Sequence, residues 1–234
     1  MGKYHPPAII ESFSPLWWKT TLIVLAMIAI IVWLPKIIKS LQHKMYGWFI
    51  GLIMLANTIG ENIYNYVNGY WNVQQNLPIH LCSISSILCV ILMFNYKQRL
   101  AECVYYWGLA GGIQSLLTPE FTVGMDGFNF IGYYISHGGL ILVVLYMIVH
   151  LDFKPRSKSW LTIFGYTQIV ALSAVIINYL VGSNYLFLAE KPIVKNPLLI
   201  GDWPYYIIVL EFVAIIHFWI LYLPFARKNK LAIA

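Results

Sequence analysis

The sequence predicts an all-α fold: a polytopic membrane protein built as a seven-transmembrane-helix bundle, with its N-terminus outside and its C-terminus cytoplasmic. Three observations predict it. Of 234 residues, 60% are hydrophobic and 10% charged, and the mean hydropathy is +0.70; a soluble domain needs about 25% charged residues to cover its surface. Apolar stretches recur at the ~20-residue length that lets a helix cross the hydrocarbon layer. Basic residues fall in alternate connections, as membrane topology requires. This composition excludes a soluble enzyme and a disordered chain.

The first stretch, 16–37, opens on Trp17-Trp18-Lys19, an interfacial anchor, and lacks the short apolar core and cleavage site of a signal peptide. Stretches at 47–67, 78–95, 101–117, 128–150, 160–181 and 203–225 follow, all continuously apolar rather than alternating like barrel strands. Connections are short and no repeat or soluble insert interrupts them, so residues 1–234 form a single seven-helix domain. Eleven of the fifteen Lys and Arg residues (Lys36, Lys39, Lys44, Lys97, Arg99, Lys154, Arg156, Lys158, Arg227, Lys228 and Lys230) fall on one side. Lys3, Lys19, Lys191 and Lys195 fall on the other. The positive-inside rule puts the first group in the cytoplasm, and the net charge of +6 is then a topology signal and a contact with anionic lipid, not a nucleic-acid footprint.

Polar groups inside the spans mark a functional site, because each is costly in hydrocarbon unless it faces a partner or a cavity. The second stretch aligns Asn57, Glu61, Asn65 and Asn68 on one helical face. His80 and Cys82 open the third, Gln114 and Ser115 close the fourth, and Ser136 and His137 sit in the fifth. Asn178 lies in the sixth, and Glu211 and His217 in the seventh. Most of them share the outer half of the membrane, which suggests a hydrated pocket open to that side. Interhelical hydrogen bonding is the alternative for Asn178, Gln114 and Ser115, and His217 reads as a satisfied or interfacial histidine. The faces Gly108/Gly111/Gly112/Ser115 and Gly132/Ser136/Gly139 read as close helix packing.

Three cysteines, Cys82, Cys89 and Cys103, make no disulfide framework. Pro78 suits the first position of the third helix, which would put Cys82 one turn in, beside the free amides of Ile79 and His80. Those amides could also hold an oxyanion. His137 is the candidate base, and Glu61, Glu211 or Gln114 could orient it. Cys82 lies about four residues and His137 about nine into their helices, a mismatch of ~7 Å that helix tilt or an inward dip of the loop at 118–127 must close.

The run Pro78-Ile79-His80-Leu81-Cys82-Ser83, then Gly111-Gly112-Ile113-Gln114 leading to Thr118-Pro119, then His137-Gly138, resembles the YwaF-type family of bacterial integral membrane proteins. That family is related to transmembrane protein 164, an ether-phospholipid acyltransferase with a proposed Cys and His pair. The resemblance implies a multi-pass protein of the bacterial cytoplasmic membrane. It implies a lipid acyltransferase or transacylase in which Cys82 is the nucleophile and His137 the base, through a thioester. Glu61 is then the first choice to orient His137, and His80, Asn65, Gln114, Asn178 and Glu211 line the substrate site. Membrane lipids, a phospholipid acyl donor and a lysolipid acceptor, are the expected partners, with no metal and no cofactor.

A non-catalytic transporter or ligand-binding subunit with a polar outer pocket is the alternative. A retinal protein is excluded by the lack of lysine in 203–225. A zinc site built from His80, Cys82, His137 and Glu61 would lack any recognisable ligand spacing.

Overall fold

The computed structural model describes residues 5–38 and 43–231; Lys3 and Lys39 of the charge pattern lie outside the described residues. The chain is mostly helical. Helix α1 (Pro15–Ile37) starts where the Ser14 side chain accepts the Trp17 N–H at 3.3 Å, with Pro15 at the first position, where its missing N–H costs nothing. Helix α2 (His43–Val67) carries the polar stripe, and α3 (Leu81–Phe94) is the shortest of the continuous apolar helices. Helix α4 (Gln98–Cys103), a π turn (Val104–Gly108) and α5 (Leu109–Leu117) form one continuous rod. Helices α6 (Phe128–His150), α7 (Ser159–Val181) and α8 (Tyr205–Leu231) complete the bundle. The α7 helix stops at Gly182, whose φ of 65° is open to glycine and strained for other residues.

Among the described residues, four helical segments are long and apolar enough to cross a membrane: Pro15–Ile37, Phe128–His150, Ser159–Val181 and Tyr205–Ala226. The other rods fall short for visible reasons. The polar stripe dilutes α2. Helix α3, with 14 residues, spans about 21 Å against a hydrocarbon layer of ~30 Å. The fourth rod changes helical period half-way.

The structure also corrects two expectations. The third helix begins at Leu81, not Pro78, with His80 as its N-cap at φ −61° and ψ 141°. The fold is not purely helical either, since β1 (Ala8–Ile9) pairs antiparallel with β2 (Glu120–Phe121), Ala8 opposite Phe121. Pro119 favours an extended chain before it and cannot continue α5, which leaves this stretch free to accept a strand partner.

Helix α6 is the centre, packed against α1, α2, α3 and α5, while α7 and α8 pair at the periphery. Leu140, Val143, Val144 and Met147 on α6 are fully buried with Val104 and Tyr106 of the π turn. That turn explains how the centre binds the periphery. Its extra residue per turn lets three consecutive rings reach across: Tyr105 Oη donates to the Leu221 carbonyl at 2.7 Å, Tyr106 Oη pairs with Ser159 Oγ at 2.8 Å, and Trp107 Nε1 donates to Thr167 Oγ1 at 2.8 Å. The outward faces of α1, α7 and α8 leave residues such as Leu22, Trp33, Ile169, Leu172, Phe212 and Ile216 exposed, as lipid-facing surfaces do.

At the basic end, Glu102 is 0% exposed and receives Arg156 through Nε at 2.9 Å and Nη2 at 2.7 Å, with the Arg156 backbone N–H at 2.8 Å. Removing the guanidinium leaves a buried carboxylate without its countercharge, held by that amide and by Gln98 Nε2 at 3.3 Å. Arg156→Ala is therefore expected to cost about 3 kcal/mol and to lower the thermal unfolding midpoint in detergent by several degrees, whereas Lys36→Ala leaves it unchanged.

Candidate active site

The site begins with two adjacent glycines. A Cβ on Gly111 of α5 would lie 2.6 Å from Cys82 Sγ, and one on Gly112 would lie 3.0 Å from the His137 carbonyl oxygen and 2.8 Å from Ile141 Cγ1. Helices α3 and α6 thus lean on α5 where it has no side chains, and Cys82 and His137 come to one place. The thiol rests on Gly111 with the Ser115 hydroxyl in hydrogen-bond reach.

His137 is held by its own helix. Its Nδ1–H donates to the Tyr133 carbonyl at 2.9 Å, one turn back, and its ring lies 4.2 Å from the Tyr133 ring. This bond fixes the tautomer and leaves Nε2 with its lone pair, the form a general base requires. Among the described residues it is this carbonyl, and none of Glu61, Glu211 or Gln114, that is hydrogen-bonded to the ring. Glu61 instead lies beside Asn57 and packs on Gly132, and Asn57 Nδ2 donates to the Gly132 carbonyl at 3.1 Å. The Tyr133 hydroxyl in turn donates to the Ser115 carbonyl at 2.9 Å and accepts the Glu120 N–H at 3.3 Å. It ties α6 to the end of α5 beside the thiol.

The expected amide donors also change. Ile79 spends its N–H on the Leu77 carbonyl at 2.8 Å, and with His80 as N-cap the first-turn amides of α3 belong to Leu81, Cys82 and Ser83. His80 lies at the rim, with its Nδ1 accepting the Leu186 N–H at 3.3 Å and its ring between Tyr185 and Phe187 at 5.3 and 5.4 Å.

Two cavities meet at this point, sharing a wall of His80, Cys82, Ser83, Thr122, Tyr133 and His137. The first, about 170 Å³, runs towards α2 and is polar, with Glu61, Asn62, Asn65, Gln75 and Asn76 on its walls. The second, about 290 Å³, runs towards α8 past Phe187, Pro192, Val194, Leu199 and Leu210, with Gln114 and Glu120 at its polar edge. The loop at 118–127 roofs both cavities, contributing Phe121 and Thr122 to the first and Glu120 and Thr122 to the second. Gln75 Nε2 pins that roof, donating to the carbonyls of Thr122 and His5, both at 2.9 Å. Glu120 holds the next loop through its two oxygens, which accept the N–H groups of Ile193 and Val194 at 3.3 and 3.0 Å. Burial lifts the Glu120 carboxyl above its usual range, and these two amides pull it back.

The remaining candidates separate cleanly. Asn65 is in the first cavity, buried, and accepts from Asn129 Nδ2 at 3.1 Å. Gln114 is in the second and donates to Thr118 Oγ1 at 2.9 Å. Asn178 lines neither: its Oδ1 accepts from Ser183 Oγ at 2.8 Å and the Tyr185 N–H at 2.7 Å, and its Nδ2 donates to the Tyr185 carbonyl at 2.9 Å. It ties the turn that carries the His80 clamp, a support rather than a substrate contact. Glu211 accepts from Gln168 Nε2 at 2.7 Å between α7 and α8 and lines neither cavity, although its neighbour Leu210 lines the second. His217, read as a satisfied or interfacial histidine, has its Nε2 buried with no hydrogen-bond partner among the described residues.

Sequence reasoning passed over Tyr133, Ser83, Thr122 and Glu120 as site residues. The four-residue step from Tyr133 to His137 was the one available signal; the others depend on where the roof lands. Among the described residues no three His, Cys, Asp or Glu side chains are grouped to hold a metal ion.

The model of the TMEM164 family matches residues 10–222. The chain belongs to the TMEM164 family. The match takes in the Pro78–Ser83 run, the glycine pair, the roof loop and His137, so the residues around the two cavities lie inside the family region. Searches of curated proteins and of solved structures return no match.

Two variants separate the support of the turn after α7 from the α7–α8 contact in this family member. Asn178→Ala is expected to speed proteolytic cleavage within 183–200 at least several-fold by releasing the turn, whereas Glu211→Gln leaves the cleavage pattern of that segment unchanged. Limited proteolysis in detergent reads both.

Proposed function

We propose that this protein is a membrane-embedded lipid acyltransferase or transacylase that works through Cys82 and His137. The observation that carries the proposal is that the thiol and the imidazole share the wall between a polar and an apolar cavity, with the one untethered ring nitrogen, Nε2, in its basic form. In the first half-reaction His137 Nε2 takes the thiol proton and the thiolate adds to the ester carbonyl of a phospholipid. The carbonyl electron pair moves to oxygen. When it returns, the C–O bond breaks, and the leaving lysolipid alkoxide takes the proton from His137. The second half-reaction reverses these moves with an acceptor hydroxyl, such as that of a lysolipid, and restores the thiol.

The first-turn amides of α3 support the developing charge, and the apolar cavity suits an acyl chain while the polar one suits a head group. Glu61, which packs at the level of Gly132, five residues before His137 on α6, fits a role in that polar cavity rather than on the ring.

Seven spans with the N-terminus outside and the C-terminus in the cytoplasm of a bacterial cell are part of the same proposal. Its support is that the basic loops share one end of the bundle. Gln98 Nε2 donates to the Lys154 carbonyl at 2.8 Å, Arg156 reaches Glu102, and His150 Nε2 reaches the Val32 carbonyl at 2.8 Å. The cavities lie at the opposite end, so lipid of the outer leaflet would supply the ester.

The test is transfer of a labelled acyl chain from a diacyl glycerophospholipid to a lysophospholipid by purified protein in vesicles. Cys82→Ala and His137→Ala are expected to lower the rate at least 100-fold with unchanged thermal unfolding. Full activity in Cys82→Ala removes the mechanism. If Cys82→Ala is silent while Asn65→Ala abolishes binding of lipid or solute, a non-catalytic ligand-binding protein is the better description.

A further inference from the structure

We propose that His80 is the side-chain donor to the ester oxygen, holding through Nε2–H the oxyanion that forms when Cys82 attacks. The inference rests on the Cys82–His137 chemistry above and adds a third residue to it. The two histidines face one space, near enough for their rings to interact electrostatically, yet their backbone bonds set opposite tautomers. His137 donates from Nδ1 to a carbonyl, so its Nε2 is an acceptor. His80 accepts at Nδ1 from the Leu186 N–H, so in a neutral ring the proton must sit on Nε2. Among the described residues neither Nε2 has a hydrogen-bond partner, and both half-buried rings line both cavities. One ring therefore offers a lone pair and the other an N–H.

The environment preserves that division. Protonating His80 at Nδ1 would turn N–H against the Leu186 N–H and would place a second cation beside His137 whenever His137 carries the thiol proton. Tyr185 and Phe187 flank the His80 ring, and Asn178 and Ser183 fasten the turn that bears them, so the ring has no easy route to another orientation. His80 is also the N-cap of α3, which fixes its backbone beside the first-turn amides. A neutral imidazole N–H and those amides then approach the ester oxygen together. No proton leaves His80 during the cycle. The C–S bond forms, the carbonyl pair moves to oxygen against the Nε2–H, and on collapse the C–O bond breaks with the proton coming from His137.

The test compares two reagents on the same thiol. Iodoacetamide alkylates Cys82 by displacement at carbon and generates no oxyanion, so its rate reports only how readily the thiol ionises. Acylation by p-nitrophenyl octanoate passes through one, and its burst of nitrophenol reports the donor as well. For purified protein in detergent, His80→Ala and His80→Asn are expected to lower the acylation rate 100- to 1,000-fold while alkylation changes less than threefold. His80→Gln keeps an N–H near the Nε2 position and is expected to recover at least tenfold of the loss. His137→Ala is expected to lower both rates.

Acylation that requires His137 but is indifferent to His80 overturns this proposal alone. An equal fall in alkylation and acylation in His80→Ala also overturns it, since His80 would then act on the thiol or on folding. No acylation of Cys82 in the unaltered protein overturns both this proposal and the transferase reading.

Discussion

The site depends on the close approach of α3 and α6 to α5 at Gly111 and Gly112. Two helices cannot place reactive side chains together over a third that carries ordinary side chains at the crossing; the distance between axes would be too great. Removing two Cβ atoms lets the Cys82 sulfur sit on one glycine and the His137 backbone on the other. The cost is conformational, because glycine weakens a helix by roughly 1 kcal/mol per residue. Burial of the preceding part of the same rod and the cross-bundle bonds of Tyr105, Tyr106 and Trp107 offset it.

From that crossing the arrangement builds outward by backbone groups rather than by charged partners. The tautomer of His137 is set by a carbonyl of its own helix, that of His80 by an amide from a distant loop, and the roof by paired strands and one glutamine. A carboxylate in the same position would hold the imidazole by charge and would itself need partners or water in a membrane interior. A carbonyl does the job without adding charge. This also accounts for the location of Glu61, which lies in the polar cavity where water and other amides can reach it.

Much of this was legible in the residues. Apolar length identified the long helices, and the spacing of Asn57, Glu61 and Asn65 identified the face that carries the polar cavity. Cys82, His80, His137 and Gln114 were singled out by residue type, by their place in the apolar stretches and by the family resemblance, and the structure has them on the cavity walls. What sequence could not give were facts settled by non-local contacts. Pro78 looks like a helix start, yet the chain turns at Leu77 and Ile79 before the helix begins at Leu81. Glu211 and Asn178 look like Glu61 and Asn65 in composition and depth, yet one pairs across α7 and α8 and the other ties a turn. The π turn has no composition signature, and it determines which rings reach the outer helices.

The central claim is that Cys82 carries the acyl group between donor and acceptor. It is tested most directly by stopping the protein with acid after exposure to a diacyl phospholipid without acceptor, and measuring the mass of the peptide that contains Cys82. The account predicts a mass increase of one fatty acid less water, removed by neutral hydroxylamine and missing in His137→Ala. An unmodified peptide recovered while lysophospholipid accumulates would contradict it.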